Sequence, residues 1–130
     1  MRKHLKYAFY FVAVAWFSLA KAGAYEDFFI AVNRDDDRTV AQLLARGFDP
    51  NSRDPKGQTG LILVLRDSSP RVAEALWKSP QLDVNVENAN GETALMMAAL
   101  RGELEWVRRL LERGARVHKE GCFLIHYAAT

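Results

Sequence analysis

Two stretches of the chain, 35–47 and 101–114, repeat one pattern of apolar and polar residues. In each stretch three apolar residues fall at positions i, i+3 and i+4, the spacing that lines one face of an α-helix. They are Val40, Leu43 and Leu44 in the first stretch and Val107, Leu110 and Leu111 in the second. Both stretches have acidic residues near their start and end in a glycine, which favours the left-handed conformation of a helix C-terminus. The pattern predicts two amphipathic helices of the same design.

A second pattern repeats at 54–61 and 88–95, where a turn precedes a short apolar run. The first segment opens with Asp-Pro-Lys-Gly, the residue order of a type I turn, and the second with Asn-Ala-Asn-Gly. Thr59 and Thr93 follow the turns and are predicted helix N-caps, because a threonine hydroxyl can accept a backbone hydrogen bond. A short apolar helix is predicted after each threonine.

Together the two patterns define a repeated unit of roughly 33 residues. Each unit consists of a turn, a short helix, a tight turn, a longer helix and an extended loop. A single unit cannot bury its own apolar face, whereas units stacked side by side share a continuous core. The sequence therefore predicts a row of helix pairs.

At these residues the chain resembles the ankyrin-repeat family. The segments that carry the resemblance are 91–102, which reads Gly-Glu-Thr-Ala-Leu-Met-Met-Ala-Ala-Leu-Arg-Gly, together with 110–118, 47–51 and 82–85. The resemblance implies an all-α solenoid of stacked helix-turn-helix units with hairpin-like loops. The predicted repeats cover about 25–53, 54–87 and 88–118, followed by a partial repeat at 119–130.

The chain departs from the family pattern at several positions. Gly60 and Ala94 stand where the family has a proline, and Gly60 is expected to add flexibility at the start of its helix. The second unit is expected to be the least regular, because 68–70 reads Ser-Ser-Pro and one extra residue precedes Asn85. The sequence stops inside the fourth inner helix, so the chain is expected either to be a fragment or to bind something at that edge.

The first 24 residues have the pattern of an export signal. A basic start is followed by an apolar run from Tyr7 to Ala20, interrupted only by Ser18, and then by Ala-Gly-Ala ending at Ala24. The run is shorter than the ~20 residues that span a bilayer. Cleavage after Ala24 is predicted, with a periplasmic or secreted mature protein; an uncleaved membrane anchor is the alternative.

Charge and composition argue against several functions. The chain has 18 Lys plus Arg and 16 Asp plus Glu, and four of the bases but none of the acids lie in the predicted signal, so residues 25–130 are slightly acidic. A basic nucleic-acid surface is therefore not expected. The one cysteine, Cys122, rules out an internal disulfide. No metal or cofactor motif is present, and the aspartates at 35–37 fit a helix start better than a calcium loop.

The resemblance implies protein binding rather than catalysis, with contacts at loop tips and inner-helix ends. The candidate partner-binding residues are Asp54, Lys56, Gln58, Asn88, Asn90 and Glu92 at the tips, and Arg66, Asp67, Leu100 and Arg101 at the helix ends. The expected partner is an unidentified protein of the bacterial cell envelope. Two alternatives stay open: a structural or inhibitory subunit of an exported enzyme, and a hydrolase using Cys122 and His126.

Overall fold

A computed structural model describes residues 21–117, which form six helices arranged as three consecutive pairs. The inner helix of each pair comes first and the outer helix second. The inner helices are α1, described over 21–33, α3, Gly60–Asp67, and α5, Ala94–Arg101; the outer helices are α2, Asp37–Ala45, α4, Pro70–Trp77, and α6, Leu104–Glu112. Inner helix α3 packs against α5, and outer helix α2 packs against α4. The predicted all-α solenoid is confirmed.

The inner helices supply most of the shared core. In α3 the five consecutive residues Leu61–Leu65 are all buried, and in α5 the same holds for Ala94–Ala98. A helix buried all round must have neighbours on several sides, and α3 lies against both α4 and α5. The outer helices bury a single stripe, such as Val72, Ala73 and Leu76 in α4. This difference leaves the outer surface of the stack to polar and charged residues.

Helices α3 and α5 begin, and helices α2 and α6 end, where the sequence predicts. Thr59 accepts a hydrogen bond from the backbone N–H of Ile62, and Thr93 accepts one from Met96, so both threonines are N-caps. Gly47 and Gly114 have φ angles of 92° and 98° directly after the outer helices α2 and α6. An L-residue with a side chain is strained at such angles, which explains both glycines.

Gly60 has a packing role that the sequence did not reveal. It lies buried at the first position of α3, and a Cβ placed there would come within 3.1 Å of the Phe28 ring. Gly60 therefore provides space for a fully buried phenylalanine of the neighbouring repeat, and no flexibility is needed to account for it.

The turn between the two helices of each pair places one residue in the left-handed region. That residue is Asp35 in the first pair, Ser68 in the second and Gly102 in the third. The second pair also accommodates its extra residue in the turn after α4, where the N–H of Leu82 donates to the Ser79 carbonyl. The left-handed residue is common to all three pairs, so only the extra residue after α4 distinguishes the second unit from the others.

Two asparagines join the extended loops of neighbouring units. Asn51 donates to the Gln81 carbonyl and accepts from the N–H of Asp83, both in the next loop. One unit later, Asn85 donates to the Gly114 carbonyl and accepts from the N–H of Arg116. The repeated pair of bonds fixes the stacking distance at the loop end of each unit.

Helix α1 extends to residue 21, before the predicted repeat boundary at Tyr25, and its packing against the core begins at Ala24. Within residues 21–117 no helix is long and apolar enough to cross a membrane. The predicted signal lies mostly outside the described residues, so its cleavage after Ala24 stays a prediction. The predicted fourth repeat at 119–130 lies wholly outside them.

Candidate protein-binding surface

Two loop tips, at 54–58 and 88–92, are built by the side chain of their first residue. The Asp54 carboxylate accepts from the N–H groups of Lys56 and Gln58, and its carbonyl accepts from Gly57. Asn88 makes the matching bonds in the second tip, to the N–H groups of residues 90 and 92. An acidic or amide side chain at this position folds the loop back on itself. The tips are thus rigid structures rather than loose loops.

The tips also pack against each other. A Cβ built at Gly57 would lie 3.1 Å from the Ala89 Cβ, so the glycine allows the second tip to approach closely. Across this contact the Asn88 amide donates to the side-chain oxygen of Gln58 at 3.1 Å, and within its own tip it donates to the Glu92 carboxylate at 2.6 Å. The tips therefore form one continuous edge.

This arrangement divides the predicted tip residues into two groups. Asn88 is only 5% exposed, and the hydrogen bonds of Asp54, Gln58 and Glu92 are directed within the tips. We correct the prediction for Asn88: its side chain shapes the surface and is too buried to contact a partner. Among the predicted tip residues, Lys56 and Asn90 are the exposed ones.

The predicted inner-helix residues are all exposed. Arg66 and Asp67 form an ion pair at 2.9 Å, and this hydrogen bond is the main cause of the raised pKa of Arg66. Arg101 donates to the Ser68 hydroxyl at 3.2 Å, which ties the end of α5 to the preceding turn. Leu100 is 47% exposed beside it, an apolar side chain with a charged neighbour. Residues that the fold leaves uncovered in this way are suited to contacting another molecule.

A hollow of about 410 Å³ between α1 and the first tip was missed in the sequence. Its apolar residues are Ala22, Tyr25, Phe29, Ile30 and Pro55, and its polar residues are Glu26 and Asn33. The Tyr25 hydroxyl donates to the Arg53 carbonyl, which fixes the side of the hollow nearest the tip. The first unit has no turn motif before its inner helix, so aligning the repeats gave no signal there.

The outer side has a different character. Trp77 of α4 and Trp106 of α6 meet edge to face at 5.4 Å, and the Arg109 guanidinium lies 4.2 Å from the Trp106 ring. Arg113 lies 4.7 Å from the Trp77 ring and donates to backbone carbonyls of the second repeat. Both arginines therefore bridge the second and third repeats, Arg109 through Glu74 and Arg113 through backbone carbonyls.

The hydrolase alternative is not tested by the residues that the structure describes. No group of three or more metal-ligating side chains occurs within residues 21–117. Cys122 and His126, the residues of the hydrolase alternative, lie outside that range.

Stacked helix pairs with hairpin tips, stabilised by a shared apolar core, define a helical repeat protein. The family model for ankyrin repeats in three copies matches residues 28–121, so the chain belongs to the ankyrin-repeat family. Members of this family generally act as protein–protein interaction modules and are typically not enzymes.

Two similar proteins differ widely in size and source. The chain is 34% identical over 102 residues to human "Transient receptor potential cation channel subfamily A member 1". The aligned region covers 76% of the chain and 9% of that protein. It is 32% identical over 92 residues to a "Putative ankyrin repeat-containing protein" of Treponema pallidum, covering 70% of the chain and 30% of that protein. The chain thus spans under a third of either relative.

Proposed function

We propose that this chain binds a protein of the bacterial cell envelope through the edge formed by its loop tips and inner-helix ends. The observation that supports the proposal most is that this edge combines side chains that stabilise the tips with side chains that are exposed to solvent. Buried or internally bonded side chains, above all Asn88, hold the tips rigid, whereas Lys56, Asn90, Leu100 and Arg101 are exposed. A rigid scaffold that presents exposed side chains lowers the entropic cost of binding.

The composition of this surface fits a protein partner. Leu100 and the hollow beside α1 offer apolar contacts, while Lys56, Arg66, Asp67 and Arg101 offer charges around them. Protein interfaces combine an apolar centre with a polar rim in this way. The hollow adds Tyr25 and Ile30 to the residues proposed to contact the partner.

Export is the second part of the proposal. The signal pattern ending at Ala24 supports it, and Lys21, Ala22 and Gly23 are exposed around the proposed cleavage site. Cleavage would leave Glu26 and Asp27 in the first turn of α1, where acidic residues favour a helix N-terminus. N-terminal sequencing of protein isolated from the periplasm is expected to start at Tyr25. An intact Met1 would contradict the proposed cleavage.

The binding site is tested by charge reversal. Affinity capture from the periplasm with the wild-type protein identifies a partner, and the variant Lys56→Glu/Arg101→Glu is then compared with it. The variant is expected to lose most of the capture while keeping its helical circular dichroism. Arg38→Glu, an exposed change on outer helix α2, is the matched control and should capture normally. Equal capture by all three proteins would refute the site.

A further inference from the structure

A groove of about 690 Å³ runs along the outer surface between α2 and α4. Three alanines form much of its lining: Ala41 and Ala45 on α2 are exposed, and Ala75 on α4 is half-buried. None of the residues proposed to contact the envelope partner lies in this groove. Any binding there would be a property separate from the function proposed above.

The next interface along the stack indicates what kind of group fits this register. If the helices are aligned on their N-caps Asp36, Ser69 and Glu103, Ala75 corresponds to Arg109, and Leu44 corresponds to Trp77. Between α4 and α6, Arg109 lies over the indoles of Trp77 and Trp106, at 5.1 and 4.2 Å. Planar groups therefore fill the α4–α6 interface, whereas short side chains leave the α2–α4 interface open.

The charges around the groove indicate the sign of its occupant. Arg71 and Asp37 pair with each other at 2.8 Å, and the Glu74 carboxylate is bound by Arg109 at 3.0 Å. The fourth charged residue, Lys78, is exposed and makes no ion pair within the described chain. Its charge contributes to lowering the pKa of Glu74, but the hydrogen bond from Arg109 is the main cause of that shift. The positive charge of Lys78 is therefore available to attract a negatively charged group in the groove.

We propose that this groove is a second docking site, which takes a partner segment carrying an aromatic ring next to a carboxylate. The ring would lie on the alanines, where the neighbouring interface holds its own planar groups, and the carboxylate would meet Lys78. An arginine is a poorer fit for two reasons. Lys78 would repel its charge, and α2 has Ala41 at the position that corresponds to Glu74, the residue that binds Arg109 at the next interface.

Two synthetic peptides test the proposal on the purified protein. One carries a tryptophan flanked by glutamates, and the other has lysines in place of the glutamates. Titration followed by amide NMR shifts is expected to move the signals of Ala41, Ala45, Ala75 and Lys78 with the acidic peptide. The acidic peptide is expected to bind at least about tenfold more tightly than the basic one.

Two variants locate the binding. Ala41→Glu/Ala75→Arg introduces the ion pair of the next interface and should abolish the shifts by filling the groove. Lys78→Gln should weaken the acidic peptide and reduce its preference over the basic one. Lys56→Ala, on the edge proposed to bind the envelope partner, should leave the titration unchanged. If the double variant fails to fold by circular dichroism, the single exposed change Ala45→Arg replaces it.

Three results would overturn the proposal. They are equal binding of the two peptides, unchanged binding after the groove is filled, and no response of the four signals up to millimolar peptide. Sedimentation of the free protein provides a fourth. If the wild type is a dimer and Ala41→Glu/Ala75→Arg is a monomer, a second copy of the chain covers this surface. Loss of envelope-partner capture through Lys56 and Arg101 is a separate outcome and leaves this test intact.

Discussion

The α2–α4 and α4–α6 interfaces are successive copies of one contact, yet the first is an open groove and the second is filled. Helices α2 and α4 pack directly against each other, and the short side chains of Ala41, Ala45 and Ala75 leave a groove along the outer side of this contact. Helices α4 and α6 are held further apart and meet through Trp77 and Trp106. Repeats with the same backbone plan thus differ in side-chain size at a few matched positions, and these positions determine both the stability of the interface and the surface left accessible.

The central outer helix, α4, depends on both neighbours. At its start, Asp35 of the first repeat accepts from the N–H of Val72 at 2.8 Å, because Ser69 makes no side-chain cap. At its end, Arg113 of the third repeat donates to the carbonyls of Trp77 and Ser79, both at 2.6 Å. A negative group at the start and a positive group at the end suit the helix dipole. A helix of 8 residues is marginal alone, so these contacts from outside matter.

The largest effect should come from shortening the tryptophan of the filled interface. Trp77→Ala removes an indole that contacts Trp106, Arg109 and Arg113, and should lower the free energy of unfolding by about 3 kcal/mol. The matched change in the open interface, Leu44→Ala, should cost about 1 kcal/mol, because both side chains are partly buried and leucine is much smaller than tryptophan. Urea unfolding measures both. Equal losses would mean that the two interfaces are energetically alike.

The second test removes the arginine that caps α4. Arg113→Ala leaves two helix-end carbonyls without their charged donor and should cost about 2 kcal/mol. Arg46 is the matched control, because it is the C-cap residue of α2 as Arg113 is of α6, and both have a φ of −84°. Unlike Arg113, Arg46 is exposed. Arg46→Ala should change stability by less than about 0.5 kcal/mol. A similar cost for both arginines would show that the carbonyl bonds of Arg113 contribute nothing.

The third test addresses the other end of α4. Asp35→Ala removes the carboxylate that caps the helix from the preceding repeat, and should cost about 1 kcal/mol in thermal or urea unfolding. Ser68→Gly, at the matched turn, removes a side chain from the left-handed region and should be nearly neutral. If Asp35→Ala is also neutral, capping between repeats is not a source of stability.

The smallest effect should be a pH dependence of the filled interface. The hydrogen bond from Arg109 lowers the pKa of Glu74 in the folded state, so this contribution is present at neutral pH and is lost as the pH falls through the acid range. Glu74→Gln should therefore cost about 0.5 kcal/mol at neutral pH, since the pair is exposed, and progressively less in acid. A constant difference across the pH range would contradict this assignment.

Local structure could be predicted from the sequence because its causes are local. The Thr59 and Thr93 caps, the Gly47 and Gly114 turns and the hairpin tips each depend on a few neighbouring residues, and all are confirmed. The repeat register followed from counting along the chain. Fold prediction succeeded to that extent because the same local signals occurred in successive units.

Contacts between repeats could not be predicted in the same way. Arg113 lies 36 residues from Trp77 and Gly60 lies 32 residues from Phe28, so no local pattern linked them. Asn88 was predicted to contact a partner because of its place in the tip. In the structure its side chain is buried and bonds to Gln58 of the neighbouring tip and to Glu92, and the bond to Gln58 could not be predicted from a local pattern. The hollow beside α1 depends on a helix and a tip that belong to different units.

The most direct measurement is the affinity of the captured partner for three proteins: the wild type, Lys56→Glu/Arg101→Glu and Trp77→Ala. It is made at a temperature where circular dichroism shows all three to be folded. The first variant should weaken binding by at least about tenfold, and the second should leave it within about twofold although its unfolding free energy is lower. The reverse order, with Trp77→Ala abolishing binding and the charge reversal preserving it, would contradict a partner site on the loop tips and inner-helix ends.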